Sequence, residues 1–252
     1  MSQNLKSKTV VITGALSGIG RATALAFGKE GANVVISGRR EQLGRELEQE
    51  LQNLDVNALF VQTDVKEESQ VQRLIDEAVA KFGKIDYAIN VAGIEGTLGP
   101  ITAATRENYT DLFDTNVLGV IWSLKHQVAQ MTQQGHGSIV NVSSVVAQAG
   151  IPGAPIYSAT KGAVDALTRA VALESLPLGV RINAVSPGLV DTPMLDRFTG
   201  GDSDAKAGFA ATTPIKRPGR PEELADVILF VASDKASFMV GQVVAVDGGF
   251  LA

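Results

Sequence analysis

Tyr157 and Lys161 stand four residues apart in the segment Tyr157-Ser158-Ala159-Thr160-Lys161, a spacing that puts both side chains on one face of a helix. A phenol ordinarily ionises near pH 10, too high for proton exchange at neutral pH, but a neighbouring ammonium favours the phenolate and is expected to lower that value. Such a pair can give a proton to, or take one from, an oxygen on which charge is developing, as in the interconversion of a ketone and a secondary alcohol. Ser144 follows the β-branched run 137–143 and offers a hydroxyl to the same oxygen. Ser143 beside it is the rival candidate. In isolation a Tyr-x3-Lys pair is more often an ordinary helix face, so its reading depends on what surrounds it.

A second chemistry lies near the start of the chain. Val10-Val11-Ile12-Thr13 runs into Gly14, Ser17, Gly18, Ile19 and Gly20, which reads as a strand, a tight turn and a helix start. Glycines are needed where backbone turns sharply or approaches a phosphate, and the helix N-terminus then presents free N–H groups to an anion. The spacing is Gly-x3-Gly-x-Gly rather than the commoner dinucleotide fingerprint, and a turn with no ligand is the plain alternative. The second strand ends Ser37-Gly38-Arg39-Arg40. An acidic residue at this place would hold the ribose hydroxyl of NAD, whereas a guanidinium grips a 2′-phosphate with forked hydrogen bonds. NADP(H) is therefore the expected cofactor, with Arg39 as its main contact and NAD(H) still possible; the alternative is that Arg39 and Arg40 simply open a solvated helix. Asp64 and Val65, at the end of the third strand, mark where an adenine ring can rest, unless Asp64 is only a surface carboxylate.

These groups need a scaffold. Short apolar runs at 9–13, 33–37, 57–62, 85–90, 137–143, 180–185 and 243–246 alternate with amphipathic stretches at 21–30, 40–53, 67–82, 109–131, 158–176 and 221–232. Nearly continuous apolar strands are buried on both faces, and their alternation with helices predicts a parallel α/β sheet with right-handed crossovers. Gly31 suits a helix C-terminus and Pro221 a helix first turn. About seven strands, and a glycine turn after the first, favour an open doubly wound sheet over an eight-stranded barrel. No linker or repeat interrupts residues 1–252, so one dinucleotide-binding and catalytic domain is expected.

Taken together, these motifs resemble the short-chain dehydrogenase/reductase family over nearly the whole chain. Thr13-Gly14, Gly18-Ile19-Gly20 and the Tyr157/Lys161 pair match its signatures. Asn90-Val91-Ala92-Gly93 matches its Asn-Asn-Ala-Gly element except at Val91, which puts one backbone-supporting hydrogen bond in doubt. The resemblance implies a Rossmann-type sheet of order 3-2-1-4-5-6-7, and commonly a homotetramer. It implies a catalytic tetrad of Asn116, Ser144, Tyr157 and Lys161, with family spacing favouring Ser144 over Ser143. By the same likeness Asn116 lies mid-helix and orients a water that connects Lys161 to solvent, and Lys161 binds the nicotinamide ribose. Asn90, Ala92 and Gly93 then belong to the cofactor site, as do Pro187, Gly188, Val190 and Thr192 near the nicotinamide.

Composition narrows the partners. The 252 residues carry 22 Lys plus Arg against 27 Asp plus Glu, a net charge of -5, so nucleic acid or an anionic membrane is not an expected partner. No window has the apolar length of a membrane span, residues 1–8 are polar and show no signal-peptide pattern, and a cytoplasmic location is expected. With no cysteine and only His126 and His136, thiolate chemistry is excluded and no metal site is expected; both histidines read as surface residues. On the substrate side, 191–213 carries Met194, Leu195, Phe198 and Phe209 around Gly200-Gly201-Asp202-Ser203, the pattern of a lid over an apolar substrate or of an ordinary helix–loop–helix. No cluster of charges is evident there, which favours a small neutral ketone or alcohol. A 3-oxoacyl-[acyl-carrier-protein] reductase would use the same residues but needs a basic patch, for which Arg106, Lys125 and Arg169 are only scattered candidates. A nucleotide-sensing or scaffold protein of the same fold is the non-enzymatic alternative.

Overall fold

A computed structural model describes residues 5–252; the first four residues of the 1–252 range lie outside the described residues. The strands β1 (Thr9–Thr13), β2 (Asn33–Gly38), β3 (Ala58–Gln62), β4 (Tyr87–Asn90), β5 (Gly137–Val142), β6 (Val180–Pro187) and β7 (Val243–Val246) form one parallel sheet. Their order is β3-β2-β1-β4-β5-β6-β7, as the resemblance implies.

Successive side chains along each strand feed opposite layers. Val10, Ile12, Val34, Ile36 and Ile89 pack under α1 (Gly18–Lys29), α2 (Glu41–Asn53) and α9 (Pro221–Ala232), through Phe27, Leu47, Leu51, Leu224 and Ile228. Val11, Val35, Ala88, Ile139 and Ile182 face the other way. They pack under α3 (Glu68–Phe82), α5 (Gly119–Gln134) and α6 (Pro155–Ser175), through Leu74, Ile75, Val120, Leu124, Met131 and Val164. All five residues of β1 are buried, which is why the sequence there alternates in direction but not in polarity.

β1 is flanked by β2 on one side and β4 on the other, with Thr13 in register with Asn90. Chain connections leave this point in opposite directions, and the loops at the carboxyl ends part to form a crevice. The opposite rim is tied shut. The buried Asp86 carboxylate accepts from the Thr9 backbone N–H (3.0 Å) and from the amines of Lys8 (2.9 Å) and Lys84 (3.2 Å).

Two expectations need adjustment. The helix expected over 109–131 is α4 (Arg106–Phe113) and α5 joined by one wide π turn, Asp114–Leu118, with Asn116 inside it. Such bulges arise where a side chain is committed elsewhere than the regular helix surface, and Asn116 is so committed, as shown below. His136 is exposed, but His126 is only partly so and lies 3.3 Å from Glu68. Along 191–213 the chain forms α7 (Pro193–Phe198), N-capped by Thr192, and α8 (Ser203–Thr212), N-capped by Asp202.

Candidate active site

A cleft of about 690 Å³ opens at the switch point, lined at one end by the glycine turn and at the other by α7 and α8. Its near wall needs residues without side chains. Gly14 (φ +69°) and Gly18 (φ +52°) hold the left-handed conformation that L side chains avoid. A Cβ on Gly14 would lie 2.6 Å from the Ala92 backbone N, and one on Gly18 2.9 Å from Thr192; one on Gly20 would run into the Gly14 carbonyl. Ser17 begins α1 with extended backbone, and its hydroxyl caps nothing in the helix. The first turn of α1 thus faces the cleft with unshared donors, the arrangement that takes a phosphate.

The other predicted cofactor residues divide. Ile19, Arg39, Arg40, Val65, Ala92 and Gly93 line this cleft, as do Pro187, Gly188, Val190 and Thr192. Arg39 and Arg40 are exposed, and among the described residues neither guanidinium is in an ion pair or hydrogen bond. Ser37 does not reach the cleft: it is fully buried and donates to the Ile12 carbonyl at 3.3 Å. Asp64 turns its carboxylate back onto the Lys66 N–H (3.1 Å), and Thr63 lines the cleft beside Val65 in its place. Asn90 lies beneath the floor, where its amide donates to Gln127 (3.0 Å) and Asn141 (2.9 Å) and accepts from Gln127 (2.8 Å). Asn141 in turn donates to Thr168 on α6 (2.9 Å). Val91 keeps its own backbone bond to Thr13 (3.2 Å).

At the centre, β5 and α6 bring Ser144, Tyr157 and Lys161 together. Pro155 in the first turn starts α6, so Tyr157 falls one turn above Lys161, whose amine lies 5.7 Å from the Tyr157 ring centroid. Ser144 lines the same cleft, and its hydroxyl accepts from the Val146 backbone N–H (3.4 Å). Ser143 instead donates to the Lys161 carbonyl (3.3 Å), which separates the two serines. The Lys161 amine is 5% exposed as a residue and donates to the Val142 carbonyl at 3.0 Å. Asn116 is fully buried: its amide accepts from Ile94 N–H (2.8 Å) and donates to Ile94 O (2.8 Å) and Thr160 (3.2 Å). A side chain on Gly93 would crowd Asn116, its Cβ lying 3.2 Å from Oδ1, and would only touch Lys161 Nζ at 3.6 Å.

Electrostatically the pair departs from expectation. Burial pushes the Tyr157 phenol up to about 12, against a smaller lowering by the nearby Ser144 hydroxyl, with the Glu95 charge adding to the rise. Burial also brings Lys161 down to about 8, opposed by Asp165. The amine lies over the ring and bonds Val142, so desolvation outweighs its attraction for a phenolate.

Sequence reading missed Glu95. It follows β4, lines the cleft, and binds Arg197 of α7 through Nε–Oε1 (2.6 Å) and Nη2–Oε2 (3.1 Å). The two residues are 102 apart in the chain, and no local pattern links them. Met194, Leu195, Phe198 and Phe209, expected around the lid, all line the same end; the Phe198 and Phe209 rings meet edge to face at 5.9 Å.

The family model described as "Enoyl-(Acyl carrier protein) reductase" matches residues 14–251. A cis-4-hydroxycyclohexanecarboxylate dehydrogenase of Sinomonas cyclohexanicum is 40% identical over 252 residues, all of both chains. The chain belongs to the short-chain dehydrogenase/reductase family. A cyclopentanol dehydrogenase of Comamonas sp. is 34% identical, covering 98% of each chain. The crystal structure of a levodione reductase superposes with a TM-score of 0.94 at 34% identity, covering 97% of each chain. The protein is therefore an oxidoreductase of this family, whose members use a nicotinamide cofactor.

Proposed function

We propose that this oxidoreductase transfers a hydride between NADP(H) and a neutral, cyclic ketone or secondary alcohol, with Tyr157 as general acid/base. The observation that carries the reading is the convergence of Ser144, Tyr157 and the Lys161 amine in one cleft with a glycine-walled anion cradle. The cradle suits a dinucleotide: the turn is packed too closely for a Cβ at Gly14, Gly18 or Gly20, so bare backbone lines it. Ser17 and the first turn of α1 would hold the pyrophosphate, Arg39 and Arg40 a 2′-phosphate, Val65 the adenine side, and Pro187, Gly188, Val190 and Thr192 the nicotinamide end. The acidic residue that would select NAD is missing from the end of β2. Two relatives named for cyclic alcohols support a ring-bearing substrate.

When bound, the cofactor supplies the hydride chemistry and, oxidised, a positive charge. The chain supplies protons and position. A phenol at about 12 is protonated at neutral pH and can donate to an oxygen that gains charge during reduction, with the Ser144 hydroxyl lining the same cleft. In the alcohol-oxidising direction Tyr157 must first lose its proton, which requires positive charge nearby: Lys161, protonated below about 8, and the cofactor. Asn116 positions the Ile94 segment opposite Lys161. Residues 191–213 close the substrate end, in one domain with the cofactor site. Exposed apolar side chains at Leu173, Leu176 and Phe238 support an oligomer, the homotetramer common in the family.

The decisive experiment is a panel of cyclic and open-chain ketones and alcohols, followed by nicotinamide absorbance with both cofactors. Tyr157→Phe should lower kcat by about 10³-fold or more while cofactor binding survives. Undiminished turnover in that variant overturns the assignment. The family model's description favours a second reading, an acyl-carrier substrate. Lys125, one of its candidate basic contacts, is already paired with Glu68 at 2.6 Å. Carrier-bound against free β-ketoesters in the same assay separates the two.

A further inference from the structure

The charged residues that line the cleft fall into three places. Arg39 and Arg40 lie at the adenosine end, Lys161 lies on the floor, and Glu95 and Arg197 lie at the substrate end among Met194, Leu195 and Phe198. The Glu95 side chain is 11% exposed, whereas that of Arg197 is 58% exposed. Both carboxylate oxygens are engaged by the guanidinium, a forked geometry that uses the planar recognition edge of each partner. Among the described residues, Glu95 has no other cation within salt-bridge distance. The pair also ties the loop after β4 to the lid.

We propose that Glu95 is a specificity-determining residue: by occupying Arg197 it keeps the substrate chamber electrically neutral, so that the protein takes uncharged ketones and alcohols and rejects their carboxylated analogues. This inference rests on the ketone/alcohol reading above and deepens it. A substrate carboxylate would have to displace Glu95, leaving a mostly buried carboxylate unpaired, or sit beside it against like charge; both are unfavourable away from bulk water. Discrimination of this kind is built by repulsion rather than by an added contact. The Glu95 charge reaches the reacting position, since it adds to the proton affinity of Tyr157. The relative named for a hydroxycyclohexanecarboxylate makes the opposite outcome chemically concrete: an Arg197 that leaves Glu95 to receive a substrate carboxylate.

The test compares methyl 4-oxocyclohexanecarboxylate with the free acid, which is an anion at pH 7. Wild type should favour the ester in kcat/KM by about tenfold or more. Glu95→Gln should bring that ratio to about twofold or below, because Arg197 is then free for the anion. Arg197→Gln should steepen it beyond the wild-type value, because an unpaired carboxylate remains. Equal or better turnover of the acid by wild type, or an unchanged ratio in both variants, overturns the proposal. Calorimetric titration of cyclohexanecarboxylate and its methyl ester into the cofactor-loaded proteins reads the same preference without turnover. If wild type reduces neither ketone nor any other in the panel, the ketone reading fails, while the titration still decides on charge selection.

Discussion

Beneath the cleft, Asn90, Gln127, Asn141 and Thr168 are joined side chain to side chain at 2.8–3.0 Å, and none is more than 2% exposed. Above it, α8 is tied to α7 and to the segment before it by ion pairs open to water, Lys206 to Asp191 (2.6 Å) and Asp196 (3.0 Å). The two arrangements behave differently. A buried amide network is stiff because each member left alone loses hydrogen bonds that water cannot replace. A solvent-exposed ion pair contributes little net stability and exchanges easily with water and salt. The floor that positions Tyr157 and Lys161 is therefore fixed, whereas the outer rim at α8 is adjustable.

The comparison can be broken most forcefully at the floor. Asn141→Ala leaves a donor of Asn90 without its acceptor and opens a cavity, and should destabilise the fold by about 3 kcal/mol. Urea unfolding should show a lower midpoint at unchanged slope; a midpoint equal to wild type would mean that the network is dispensable. At the exposed adenosine end, Arg39→Ala should raise KM for NADPH by about tenfold or more and leave NADH within about twofold. Equal losses for the two would show that the arginine does not read a 2′-phosphate. The smallest effect belongs to the lid: Lys206→Ala should leave the unfolding midpoint in place and change KM by less than about threefold, and only at low salt. A large loss of stability there would place the lid with the floor.

Much of this was legible in the sequence because it is local. The seven apolar runs, Gly14 and Gly18 at a turn that needs φ above zero, Pro155 opening α6 and the four-residue step from Tyr157 to Lys161 each depend on near neighbours. What was hidden is set by tertiary contact. Ser37 ends a strand at the right place, but strand alternation aims it at Ile12 rather than at the cleft. Asp64 is recruited by its own turn. The π turn at Asn116 exists because its amide grips Ile94, 22 residues earlier. Glu95 becomes visible only once folding brings α7 beside the loop that follows β4. The fall in the Tyr157 pKa expected from spacing alone is reversed because spacing says nothing about desolvation.

The buried amine also links folding to proton uptake. Lys161 ordinarily titrates at 10.5 but does so at about 8 in the folded chain. Below pH 8 the native state therefore carries the full penalty of a charged amine out of water, and across the interval to 10.5 that penalty fades and the native state gains on the unfolded one. Tyr157 works in the opposite sense: its ordinary value of 10.0 rises to about 12, so its contribution is intact below pH 10 and disappears as the phenol ionises on the way to 12. Between them the two side chains favour the native state most at moderately alkaline pH, and at neutrality the Lys161 amine withholds stability from the molecule.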